Sequence, residues 1–142
     1  MAAHLTEALI AFQEIACSEL VIVVNDRVDL TGVHYDRLYQ IGHHARSILI
    51  VISVFEAVYL LLKERPDVVV STGVSPAVPF AFVCKLLRIP VVFVERLTRI
   101  HRPSLTALLM YRLADVFYVQ WPELLEWFPF ARYRGSLLDH DA

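Results

Sequence analysis

Short, continuous runs of β-branched residues recur along the chain with helical stretches between them. The runs are Leu20 to Val24 (LVIVV), Val68 to Val70 (VVV, after Pro66-Asp67), Val91 to Val94 (VVFV, after Pro90) and Val116 to Val119 (VFYV, after Asp115). They lack the alternation of a half-solvated strand and so predict parallel strands covered on both faces. Between them, Leu5, Leu9, Phe12 and Ala16 fall at helical spacing, as do Leu105, Leu108, Leu109 and Leu113, which predicts helices with one buried face. Ser104 after Pro103 marks a helix start. Pro122-Glu123 after Trp121 marks another, with proline in the first turn and an acid near the positive end of the helix dipole. Strands and helices in alternation predict an α/β, Rossmann-like fold with a parallel sheet.

Two segments are more apolar than a surface helix requires. Ala77 to Leu87 is apolar nearly all round, which reads either as a fully buried helix or as a helix with a second apolar partner, such as another subunit or lipid. Ser47 to Leu62 is bounded by Arg46 and Lys63 and broken by Glu56; at about 1.5 Å rise per residue it falls short of a hydrocarbon core about 30 Å thick. The first predicted element is a helix beginning at Leu5, although a βα repeat opens on a strand, so the pattern predicts a sheet lacking its first strand. In a doubly wound sheet of order 3-2-1-4-5 that strand would be central. Its absence reads as a misplaced start, a truncation or a gap filled by a partner.

Composition narrows this picture. A length of 142 residues is one domain's worth, so residues 1–142 are expected to form a single domain. Hydrophobic residues make up 57% and charged residues 20%, which excludes a disordered chain. The 13 Lys+Arg against 15 Asp+Glu leave a net charge of -2, too balanced for a general nucleic-acid binder. Any basic site is therefore local. Cys17 and Cys84 have no paired spacing, so neither a disulfide framework nor a zinc knuckle is predicted, and a reducing compartment fits. No basic region followed by an apolar run opens the chain, so no secretory leader is predicted.

In an open parallel sheet ligands bind at the carboxyl ends of the strands, and the loops there carry the candidate chemistry. Ser71-Thr72-Gly73-Val74-Ser75-Pro76 offers hydroxyls, a glycine and helix N–H groups suited to an anion; it also reads as a plain βα turn with a Ser/Thr cap. Neither GxGxxG nor GxxxxGK[ST] occurs, which disfavours a dinucleotide site or a P-loop. The stretch from Glu95 to Ser104 concentrates Arg96, Arg99, Arg102 and His101. Guanidinium forks suit phosphate, and Glu95 could bond sugar hydroxyls or orient an arginine; the alternative is a solvated loop in which Glu95 pairs with Arg96 or Arg99. Gln120-Trp121-Pro122-Glu123 sets an amide and an indole at a strand end, either for a polar ligand or as a core tryptophan. His4 lies beside the same edge as a candidate general base or phosphate donor, or as an exposed terminal residue. His43 and His44 lack metal-ligand spacing, and no metal site is predicted.

The stretch from Arg65 to Leu138 carries "PDVVVSTG", "VERLTR" with "PSLT", "ADVFYVQWPELL" and a closing "YRGSLL". In these it resembles the oligosaccharide-biosynthesis family whose eukaryotic member is the membrane-anchoring subunit of the two-part UDP-GlcNAc transferase. Bacterial relatives are the glucuronosyl- and galactosyltransferase subunits or enhancers of exopolysaccharide and capsule assembly. The first half resembles the family more loosely, through "HLTE" at His4 to Glu7, and it departs by having Ala2-Ala3 where the family has a glycine pair.

The resemblance implies the N-terminal lobe of a GT-B glycosyltransferase of the MurG type, facing the membrane and a lipid-diphosphate acceptor. A separate small catalytic subunit supplies the UDP-sugar-binding lobe, so this chain is expected to bind no cofactor itself. By that likeness Ser71, Thr72 and Gly73 fall in the acceptor-side turn, and Glu95, Arg96, Arg99 and Ser104 in the polar loop beside it. Gln120, Trp121 and Glu123 match the third motif, and Gly135 with Ser136 the closing one that meets the partner lobe. Glu95 and His4 are the catalytic candidates.

The expected function is that of an acceptor-binding, membrane-associated subunit of an inverting UDP-sugar transferase in polysaccharide or lipid-linked oligosaccharide biosynthesis. It is expected to be inactive alone and peripheral on the cytoplasmic face. The alternative is a non-catalytic anchor that recruits and stabilises the catalytic partner. A free-standing nucleotide-dependent enzyme would need the glycine fingerprint the chain lacks.

Overall fold

The structure, a computed structural model, describes residues 19, 21–24, 34–40, 47–72, 77–96 and 102–135. The chain divides into two compact units, Met1–His43 and His44–Ala142. In the first, β1 (Val21–Val24) pairs in parallel with β2 (Arg37–Gln40), in a register running from Val21 opposite Arg37 to Val24 opposite Gln40. Among the described residues of this unit Ile22 is the buried apolar one, and an ion pair joins Arg37 to Glu19. β1 realises the LVIVV run. β2 (RLYQ) has no apolar run to announce it, because nearly all of it is exposed. The helix predicted from Leu5, and the question of a strand before it, lie outside the described residues.

The second unit is a run of βα steps. After α1 (Ser47–Glu64) come β3 (Val69–Ser71), α2 (Ala77–Leu87), β4 (Val91–Val94), α3 (Leu105–Leu113) and β5 (Val116–Val119). A 3₁₀ helix (Pro122–Glu126) and β6 (Arg132–Tyr133) follow. The sheet has the order β3-β4-β5-β6 and every pairing in it is parallel. α1 packs on α2, and α2 on α3. Each β-strand run of the sequence is thus realised within a residue or two, whereas β6 is too short and too polar to be read. The Pro122 start is real, but it opens 3₁₀ turns.

Side chains from all these layers meet in one core, with Val91, Phe93, Phe117 and Val119 of the sheet against Ala81, Cys84, Ala107 and Met110 of the helices. Phe93 stacks on Phe117 with centroids 4.9 Å apart, and Tyr111 and Phe128 close on Phe117 from α3 and the segment after the 3₁₀ helix. The residues alternating with these, Val92, Val94, Val116 and Tyr118, are only half-buried.

α2 is not the fully buried helix that one reading of its apolar sequence expects: one face enters the core and the other is exposed. Ala81, Val83 and Cys84 are buried, while Phe82, Leu86 and Leu87 face outward. α1 is built the same way, with Ala57, Leu60 and Leu61 inside and Val51, Phe55, Tyr59 and Leu62 outside.

α1 and α2 end on non-glycine residues in the left-handed region. Arg88 (φ 60) closes α2 in a Schellman arrangement, in which Ile89 N–H donates to Cys84 O at 2.9 Å and Arg88 N–H to Lys85 O at 3.4 Å. Arg65 (φ 46) closes α1 by donating to Leu61 O at 2.9 Å, and Pro66 prevents the helix from continuing.

Candidate functional site

Parallel pairing brings the carboxyl ends of β3 to β6 to one edge. The register sets Ser71 opposite Phe93, Val94 opposite Tyr118 and Val119 opposite Tyr133. The residues that leave the strands therefore lie side by side: Thr72 after β3, Glu95 and Arg96 after β4, Gln120 and Trp121 after β5, Arg134 and Gly135 after β6. The amino end of α3 returns to the same edge at Ser104.

Glu95 is the centre of this edge and is only 1% exposed. Its N–H donates to Tyr118 O at 2.9 Å, which carries the β4–β5 ladder one residue past the strand. Its carbonyl accepts from Gln120 Nε2 at 2.9 Å, and Gln120 is itself buried. Its carboxylate Oε1 accepts from Ser104 Oγ at 3.4 Å, a long contact for a hydroxyl donor. Ser104 Oγ in turn accepts from Ala107 N–H at 2.9 Å as the N-cap of α3. Two residues expected to face a ligand, Ser104 and Gln120, are thus bonded to Glu95.

Among the other candidates, Ser71, Thr72 and Arg96 are half-buried at the edge, and Arg102 is exposed where the chain returns toward α3. Trp121 packs partly against the core, so the indole serves the packing that its sequence position left open. Glu123 is exposed in the first turn of the 3₁₀ helix. Gly135, at φ 97, takes a conformation that a Cβ would disfavour, directly after β6. His4, Gly73, Arg99 and Ser136 lie outside the described residues. Arg134 was not singled out by sequence, because the strand that delivers it could not be read.

The opposite edge carries different chemistry. There Asp115 Oδ2 accepts from Val91 N–H at 2.8 Å while Asp115 N–H donates to Val91 O at 2.9 Å. A hollow of about 260 Å³ lies beside it, lined by Lys85, Arg88, Ile89, Pro90 and Asp115. A larger one of about 470 Å³ lies between α3 and the segment after the 3₁₀ helix, lined by Leu108, Leu109 and Trp127 among others. Burial pushes the Cys84 thiol up to about 11, opposed by a backbone hydrogen bond and reinforced by the nearby Asp115 charge. Among the described residues no group of three or more His, Cys, Asp or Glu side chains converges on a metal position.

A family model described as "Oligosaccharide biosynthesis protein Alg14 like" matches residues 24–137. The chain belongs to this family. Of the curated relatives of this Alg14-like chain, the UDP-N-acetylglucosamine transferase subunit ALG14 of Yarrowia lipolytica is 38% identical over 88 residues, covering 58% of this chain and 41% of that protein. The human protein with the same description is 31% identical over 85 residues, covering 56% of this chain and 39% of its own. The aligned stretch thus spans about two fifths of these relatives' length. Among solved structures, MurG of Acinetobacter baumannii superposes with a TM-score of 0.70 at 17% identity, over 94% of this chain and 41% of that one. At that identity the likeness shows the fold, an α/β, Rossmann-like arrangement around parallel strands.

Proposed function

We propose that this chain is the acceptor-binding subunit of a two-component UDP-sugar glycosyltransferase that extends a lipid-diphosphate-linked saccharide. The observation that carries the reading is the convergence of Ser71, Thr72, Glu95, Arg96 and Gln120, drawn from separate motifs, on one edge of one parallel sheet. In such a transfer an acceptor hydroxyl attacks the anomeric carbon, the bond to UDP breaks with its electron pair leaving on the diphosphate, and the hydroxyl proton passes to a base. Donor and leaving group belong to a separate UDP-sugar-binding partner. This chain's share is to hold the acceptor: Arg96 and Arg102 present guanidinium forks to the diphosphate, and the Ser71 and Thr72 hydroxyls add neutral donors.

The membrane is met peripherally on the cytoplasmic face, in this proposal, through the outward faces of α1 and α2. Phe55 is 71% exposed and Leu86 68%, an apolar surface that favours a lipid interface. Among the described residues no helix is long and apolar enough to cross a membrane. Detergent is expected to release the chain from membranes, and full release by high salt alone would contradict lipid burial.

The transfer reading is tested by purifying the tagged chain with the small partner and measuring transfer from UDP-GlcNAc, UDP-glucuronate and UDP-galactose to a polyprenyl-diphosphate-linked saccharide. Transfer that needs both chains supports it. A stable complex whose turnover survives Arg96→Ala and Arg102→Ala unchanged would instead support the pure anchor.

A further inference from the structure

We infer that Glu95 is a positioning residue, a buried post that fixes the chain carrying Arg96 and Arg102 at the carboxyl edge, and is not the base that takes the acceptor's proton. This rests on reading that edge as the acceptor side. A general base must come within hydrogen-bond reach of the hydroxyl it deprotonates. Glu95 is 1% exposed, and its Oε1 is turned toward Ser104 Oγ at 3.4 Å. Its backbone is held on both sides, by Tyr118 O at 2.9 Å and Gln120 Nε2 at 2.9 Å.

The bonding partners explain what such a post would do. Arg96 directly follows Glu95 where the chain leaves β4, and Arg102 precedes Pro103-Ser104 where it returns to α3. The Glu95–Ser104 contact therefore ties departure to return, and Gln120 ties both to the end of β5. Arginine side chains lose much rotamer freedom when they clamp a ligand, so a backbone already fixed at both points lowers the cost of binding a diphosphate. Ser104 serves twice, because its lone pair caps α3 at Ala107 N–H while its proton goes to Glu95.

The test is kinetic, in the complex with the UDP-sugar-binding partner, using UDP-GlcNAc and a polyprenyl-diphosphate-linked saccharide, with farnesyl diphosphate as the binding probe. Glu95→Gln keeps the acceptor oxygen for Ser104, and kcat is expected to stay within about threefold of wild type, whereas loss of a general base costs about 100- to 10,000-fold. Glu95→Ala is expected to raise the acceptor KM and the farnesyl diphosphate Kd about tenfold. Ser104→Gly retains most of the capping preference without a hydroxyl to donate, so it is expected to raise KM similarly with little change in melting temperature, and Ser104→Thr to restore it.

A Glu95→Gln variant with kcat abolished and KM unchanged would make Glu95 the base and overturn the inference. So would Ser104→Gly with an unchanged KM and Kd. If the wild-type complex transfers no sugar, the proposed function fails separately, and the farnesyl diphosphate Kd series still decides whether Glu95 positions a diphosphate site.

Discussion

The two edges of the four-stranded sheet are held by the same device and yet are built for different ends. At the amino edge the Asp115 carboxylate takes Val91 N–H, and at the carboxyl edge the Gln120 amide takes Glu95 O, so one polar side chain of the β5 region clamps each end of β4. Around Asp115 the connections are tight: Arg88 to Pro90 joins α2 to β4, and Ala114-Asp115 joins α3 to β5. Around Gln120 they are long and polar, and they carry the hydroxyls and guanidiniums. The comparison teaches that a clamp alone does not mark a site. What distinguishes the carboxyl edge is the parallel sheet's delivery of separate polar segments to one line.

Substitutions at the two edges are expected to separate activity from stability. The largest effect is expected from Arg96→Ala combined with Arg102→Ala, which removes charge-assisted bonds to the acceptor and should lower kcat/KM about 100-fold or more, with the melting temperature nearly unchanged. Loss of melting temperature in proportion to activity would erase the distinction. Cys84, in the helix that ends at the amino edge, comes next. Its thiol is favoured neutral in the folded state, so its contribution is full below the ordinary value of 9.0 and is lost as pH rises through about 11. Denaturant titrations across that window should show about 2–3 kcal/mol more loss in wild type than in Cys84→Ala.

Asp115→Ala strands the N–H of Val91, a residue only 1% exposed, and should cost about 1–3 kcal/mol while transfer per folded molecule stays unchanged. The smallest effect is a gain. Arg88→Gly relieves a left-handed arginine at the end of α2 and is expected to stabilise by about 0.5–1 kcal/mol, read as a higher urea midpoint, without altering transfer.

Much of this architecture is legible in the sequence. The continuous runs at Val91 and Val116 mark parallel strands with one face buried and the other partly covered, whereas in the Val68 run Val68 and Val70 are exposed and only the strand assignment holds; Ser104 announces α3 through its capping chemistry. β2 and β6 escape notice because RLYQ and RY are exposed and polar, leaving no hydrophobic signature. The polar loops are equally legible as candidates, but the assignment of roles within them is not. Whether the Gln120 amide faces a ligand or the Glu95 carbonyl depends on the register that pairs Val94 with Tyr118, and register is a long-range property of two strands 24 residues apart. The Glu95–Ser104 contact likewise exists only once α3 has been laid back over the sheet edge.

The central claim, that the carboxyl edge is where the acceptor's diphosphate sits, is tested most directly by photo-crosslinking. A photoreactive amino acid is placed at Thr72 on the carboxyl edge or at Arg88 on the amino edge, and each complex is irradiated with radiolabelled farnesyl diphosphate. The account predicts label on the chain from Thr72, competed away by the saccharide-bearing acceptor, and none from Arg88. Competable label from Arg88 with none from Thr72 would contradict it.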